Sequence, residues 1–113
     1  MKQYNFPYKP LRKIVIVGGQ PAWIKNIRQY FQEKEIIFIS DENKNTTKNY
    51  NSIVSSADVL WCKNNGISHD LYKKILVLSR KYNIDTQYFK INLQGGKSCA
   101  IQIIDYESQK IKS

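Results

Sequence analysis

Three short runs rich in β-branched and large apolar residues constrain this chain most: residues 13–17 (KIVIV), 35–39 (EIIFI) and 58–62 (DVLWC). A strand with one wet face alternates apolar and polar residues. These runs are nearly continuous in apolar character, which is the pattern of strands covered on both faces in a parallel sheet. Parallel strands need long crossovers, and the segments between the runs carry helical signals.

Gly18-Gly19 closes the first run, and Gln20-Pro21 opens a helix, with Pro21 suited to the first helical position. From there to about residue 33, Trp23, Ile24, Ile27, Tyr30 and Phe31 recur at helical spacing, with Lys25, Arg28, Gln29 and Gln32 outside. Residues 40–51 are polar and aperiodic and read as a loop, with a short helical turn at 52–56. After the third run, residues 63–66 form a turn. Ser68 then caps a helix that has Asp70 in its first turn, where a carboxylate suits the dipole. Ile67, Leu71, Ile75, Leu78 and Tyr82 make its core stripe, and Asn83 is a left-handed stop. Residues 85–90 (DTQYFK) read as a fourth strand and 92–97 as a Gly-containing loop. In 98–108, Ser98, Ile101, Ile104 and Glu107 fit a capped helix, and 100–104 fit a strand; the helix is preferred.

Strands alternating with helices imply right-handed βαβ units. The expected fold is α/β: one Rossmann-like domain with about four parallel strands, in order 2-1-3-4, and helices on both faces. Its 113 residues suit one domain. Residues 1–12 form an N-terminal arm punctuated by Pro7 and Pro10, in which Tyr4, Phe6 and Tyr8 alternate; 13–113 form the domain.

Charge narrows the partners. Eighteen Lys and Arg against nine Asp and Glu leave a net charge of +9, which attracts polyanions. The Lys-, Asn-, Ile- and Tyr-rich composition also fits an AT-rich genome, such as that of a phage or mobile element, so charge alone does not decide. No apolar run nears the ~20 residues of a bilayer span, and the first residues lack the apolar stretch of a secretory signal. The expectation is a cytoplasmic protein with no membrane partner. Cys62 and Cys99 form no CxxC and have no histidine cluster nearby, so they read as free thiols and no metal site is implied.

In an open parallel sheet, ligands bind where strand C-termini meet helix N-termini. That edge receives Gly18, Gly19 and Gln20 from the first strand. It receives Lys63, Asn64, Asn65, Ser68 and His69 from the third, and Asn92, Gln94, Gly95, Gly96, Lys97 and Ser98 from the fourth. Glycine pairs admit a ligand close to backbone, helix N-termini favour anions, lysines neutralise phosphate, and amides read a base or ribose. Gly96-Lys97-Ser98 echoes the end of a P-loop, but Ile91 stands where the full pattern needs glycine, so no ATPase is implied. No acid pair or nucleophile triad stands out around the lone His69, which disfavours an enzyme, and no cofactor is implied. Trp23 and Trp61 read first as core residues.

The residues IVIVGG at 14–19 and ADVLWCKNNGISHDLYKKILVLSRK at 57–81 resemble the bacterial family of small proteins catalogued as domain of unknown function 2325. The resemblance rests on Val17-Gly18-Gly19, Ala57-Asp58-Val59, Ser68-His69-Asp70 and Arg80-Lys81. It implies an α/β fold and a role for His69, and it supplies no reaction. Residues 40–44 depart from the relatives' pattern. Gly66 and Ser79 stand where relatives carry cysteines, so thiol or metal chemistry is not carried over.

The leading expectation is a non-enzymatic protein that binds a phosphate-bearing small molecule, a nucleotide or nucleotide-derived signal, at the strand C-terminal edge. A nucleic-acid module is the alternative, with Lys9, Arg12 and Lys13 of the arm and Lys73, Lys74, Arg80 and Lys81 of the basic helix on the phosphates. A homodimeric protein-interaction or inhibitor domain, acting on a host protein, is the third.

Overall fold

A backbone group buried on both faces of a sheet can be satisfied only by neighbouring strands, and the apolar runs are arranged accordingly. In the computed structural model, which describes residues 4–32, 36–41, 49–92 and 95–112, four parallel strands lie in the order β2-β1-β3-β4. They are β1 (Ile14–Val17), β2 (Ile36–Ile39), β3 (Val59–Cys62) and β4 (Asp85–Tyr88). Helices α1 (Pro21–Arg28), α2 (Tyr50–Ser55), α3 (His69–Lys81) and α4 (Gly96–Lys112) alternate with them. The expected α/β fold and strand order are therefore present. Central β1 and β3 are buried at every residue, whereas edge strand β4 carries the polar sequence DTQY and is only partly covered.

Alternate strand residues feed two cores. Ile14, Ile16, Val59 and Trp61 pack with Trp23, Ile24 and Ile27 of α1 and Cys99, Ala100 and Ile103 of α4. Val15, Val17, Leu60 and Cys62 pack on the other face with Val54 of α2 and Ile75 of α3. Covering both faces explains why the strands lack period-two polarity.

The helix ends mostly follow local chemistry. The Ser68 hydroxyl accepts from the Leu71 N–H, as a cap should. Asn83 stops α3 region with φ 55°. Segment 98–108 is helical, inside an α4 that starts at Gly96. Several ends differ from the sequence reading: α2 begins at Tyr50, inside the expected loop, because Asn49 caps it through the Ser52 N–H, and α4 begins at Gly96 rather than residue 98. β4 ends at Tyr88, not residue 90. α1 ends at Arg28, well before residue 33, because the arm intervenes: the Tyr8 N–H donates to the Tyr30 carbonyl and the Gln32 N–H to the Tyr8 carbonyl. Residues 33–35, part of the expected α1 end and second strand, and most of loop 40–51 lie outside the described residues.

The arm lies on its own domain, on the α1 and α4 side. Phe6 meets Tyr30 edge-on at 5.0 Å, Tyr8 meets Phe31 at 6.1 Å, and the Tyr4 hydroxyl donates to Asp105. Arg12 donates two hydrogen bonds of 2.8 Å to Glu107, which has no exposed side-chain surface.

Candidate functional site

The strand register brings Val17, Ile39, Cys62 and Tyr88 to one edge of the sheet. Past that edge, the turn after β3 and the residues after β4 line a cleft of about 640 Å³. Four elements line it: Trp23 from α1; Cys62, Lys63, Asn64 and Asn65 from the end of β3; Tyr72 from α3; and Tyr88, Phe89, Lys90 and Ile91 from the end of β4.

Local packing fixes these walls. Gly18 has φ 94° and is buried; a Cβ there would fall on the Lys63 carbonyl oxygen. Gly66 has φ 70°, and its missing Cβ would meet the Gly19 carbonyl. The Gly19 N–H donates to the Asn65 carbonyl, and the Lys63 N–H donates to the Val17 carbonyl at 2.8 Å. The two turns thus lie backbone to backbone, which only glycine permits at these positions. Gly19 also rests against the Trp23 indole, where a Cβ would come to 2.5 Å. The glycines of the first turn therefore shape the cleft from behind and hold its tryptophan in place.

Electrostatics within the cleft are one-sided. Lys63 and Lys90 line it, and among the described residues no carboxylate does. Lys63 Nζ sits 5.0 Å from the Trp23 ring centroid, a cation–π contact that steers the ammonium along the wall. Burial pushes the Cys62 thiol up to about 12, and its hydrogen bond with Tyr72 only partly offsets this. Tyr72 is likewise pushed up to about 12, first by burial and then by Cys62 and Tyr88. Both groups keep their protons at neutral pH, so the cleft carries no resting thiolate nucleophile.

The residues expected from sequence divide into groups. Lys63, Asn64 and Asn65 line the cleft. Gly18 and Gly19 lie behind it, and Gln20 is exposed at the N-cap of α1 without a side-chain cap bond. Ser68 and His69 begin α3 away from the cleft wall. There the Asp41 carboxylate already accepts from the Ser68 N–H at 2.9 Å, so the protein's own anion holds that helix end. Gly96 is buried against α1, where a Cβ would reach 2.8 Å from the Ile27 nitrogen; Gly95, Asn92 and Lys97 are exposed. Ser98 faces a second hollow of about 500 Å³ between β4 and α4. Gln94 lies outside the described residues.

Among the cleft residues, the sequence reading does not single out Tyr72, Tyr88, Phe89, Lys90 and Ile91, and it takes Trp23 first as a core residue, with base stacking as the alternative. A signal existed in Tyr88-Phe89-Lys90, where two rings and a cation leave the end of an edge strand. Tyr88 is 57% and Ile91 96% exposed, unusual for large apolar side chains without a partner.

Among the basic residues, Arg12 is taken up by Glu107, and it lies 3.7 Å from Asp85. Lys9, Lys13, Lys73, Lys74, Arg80 and Lys81 are exposed. No helix among the described residues is long and apolar enough to cross a membrane, and no three metal-ligating side chains come together among them. Compared with protein-family models, curated proteins and solved structures, the chain matches none.

Proposed function

We propose that this chain is a binding protein for a phosphate-bearing ring ligand, a nucleotide or nucleotide-derived signal, held in the cleft beyond β3 and β4. One observation carries the reading: Lys63 and Lys90 converge with the rings of Trp23, Tyr72, Tyr88 and Phe89 in a single hollow that no carboxylate lines among the described residues. About 640 Å³ falls within the range of small-molecule sites. A planar base gains by stacking on the exposed ring of Tyr88. The two ammonium groups neutralise phosphate, and the Asn64 and Asn65 amides offer both donors and acceptors to a base or sugar. With Cys62 and Tyr72 both protonated, the lining favours holding a ligand over transforming it. The resemblance to the family catalogued as domain of unknown function 2325 is compatible with this reading and adds no ligand.

The test is native mass spectrometry of protein purified from cells, with calorimetric titration of AMP into wild type and a Lys63→Ala/Lys90→Ala double variant. A retained nucleotide-sized mass, and an AMP affinity that falls about tenfold or more in the variant, is the expected outcome. No retained mass, and no AMP binding up to about 1 mM, would sink the reading.

A second reading is supported by α3. Lys73, Lys74, Arg80 and Lys81 flank Val77, which is 59% exposed, on its outer face. That stripe suits a nucleic-acid backbone. Oligonucleotide binding that collapses with salt, and is lost in a Lys73→Glu/Lys81→Glu variant, would favour it over the cleft.

A further inference from the structure

The cleft and the hollow between β4 and α4 are neighbours. Lys90 lines both. A continuous row of rings underlies them: Trp23 meets Phe89 at 5.5 Å, Phe89 meets Trp61 at 5.1 Å, and Trp61 meets Tyr106 at 5.6 Å. Trp23 and Phe89 face the cleft, whereas Trp61 and Tyr106 face the groove.

The two hollows differ in charge. The cleft holds Lys63 and Lys90 with no acid among the described residues. Asp105, whose carboxylate accepts from the Tyr4 hydroxyl at 3.0 Å, lines the groove with the shared Lys90 and neutral polar groups from Gln87, Ser98, Gln102 and Gln109. A carboxylate repels a second phosphate and accepts from hydroxyls, so the groove suits a neutral, hydroxyl-bearing ring. Gln102 also shapes the junction: its Oε1 accepts from the Lys90 N–H at 3.2 Å, and its Nε2 donates to the Tyr88 carbonyl at 3.4 Å. The edge of β4 is thereby tied to α4 where the hollows meet.

We infer that cleft and groove are two halves of one site, and that it takes two nucleosides joined through phosphate. This inference rests on the nucleotide reading of the cleft. One base stacks in the cleft, the linking phosphate lies at Lys90, and the second nucleoside lies along the groove with its sugar hydroxyls toward Asp105. A free dinucleotide and a dinucleotide step within a single strand present the same chemistry.

The experiment compares AMP, 5′-phosphorylated adenylyl-adenosine and a ten-residue oligoadenylate by calorimetry at low and high salt, on wild type and on Ser98→Trp. Ser98 is exposed in the first turn of α4 and lines the groove but not the cleft. The expected result is at least about tenfold tighter binding of the dinucleotide than of AMP. Ser98→Trp abolishes that preference and leaves AMP affinity within about twofold. Gln109→Trp, which fills the groove from a later turn of α4, gives the same result and guards against misfolding of one variant. An oligonucleotide that binds tighter still, with a steep salt dependence, identifies a strand as the source; equal affinity identifies a free dinucleotide. Equal binding of AMP and the dinucleotide overturns the two-part site and leaves the cleft reading standing. So does a preference untouched by both tryptophans. Failure of all three ligands to bind overturns the cleft reading with it.

Discussion

Truncating Arg12 should unfold this protein more readily than any other single change to its arm. The Glu107 side chain is 0% exposed, and Arg12 meets both of its carboxylate oxygens at 2.8 Å, while Arg12 itself is 26% exposed. Arg12→Ala leaves that carboxylate buried without its counter-charge. Breaking one side of a fully buried pair costs about 3–5 kcal/mol. Arg12 is partly exposed, so water can enter where its guanidinium stood, and the lower figure of about 2–3 kcal/mol is expected. For a domain of this size that lowers Tm by about 8–15 °C. Urea unfolding followed by tryptophan fluorescence measures it, with a lower midpoint at unchanged slope. A double Arg12→Met/Glu107→Met variant should recover much of the loss, because the desolvation of both charges disappears with them. A loss in Arg12→Ala below about 0.5 kcal/mol would refute the reasoning, since surface changes are of that size. The same variant, while folded, should bind an oligonucleotide as wild type does, because Arg12 serves the fold rather than a phosphate.

Three further outcomes follow from the geometry. Gly18→Ala places a methyl on the Lys63 carbonyl at φ 94° and should lose about 3 kcal/mol or more, whereas Gly95→Ala meets no atom and should stay within about 0.5 kcal/mol; thermal melts of both compare them, and equal melts would count against the turn-to-turn contact. Cys62, pushed up to about 12 and 3% exposed, should resist iodoacetamide at pH 8 in the folded protein and react fully in urea; rapid native alkylation at Cys62 would contradict its burial. Burial by itself would raise the Asp85 carboxyl, but hydrogen bonds from Tyr106 and Gln87, with Lys110 and Arg12 nearby, hold it below the usual carboxylate range. A depressed folded value adds stability above the ordinary aspartate pKa of about 3.9, and that stability is lost as pH falls through the folded value. Asp85→Asn should therefore lose less stability than wild type between pH 5 and about pH 3, and parallel acid titrations of the two would oppose the assignment.

The site was less legible than the fold. Lys63, Asn64 and Asn65 follow β3 directly, where the rule that ligands meet strand C-termini points, and they line the cleft. The same rule pointed to Gly18, Gly19, Ser68 and His69, yet the first two are occupied by contact between turns and the α3 end by Asp41. Glycine at a strand end signals close approach but does not say whether ligand or protein approaches. In sequence Tyr88, Phe89 and Lys90 read as the tail of a strand; β4 stops at Tyr88, and the Lys90 N–H donates to the Gln102 side chain of α4. Arg12 looked like a cation for phosphate because its partner, Glu107, lies 95 residues away along the chain.

By itself the sequence determined the strands and the limits of α3, because each is written within a few neighbouring residues: an apolar run without alternation, a Ser68 cap, an Asn83 stop; the parallel order followed from the alternation of strands and helices along the chain. Tertiary structure alone decided where the cleft opens, which basic residues face solvent, and that α1 ends early at the arm. Those outcomes depend on groups brought together from distant parts of the chain, and local patterns carry no record of the partners they will meet.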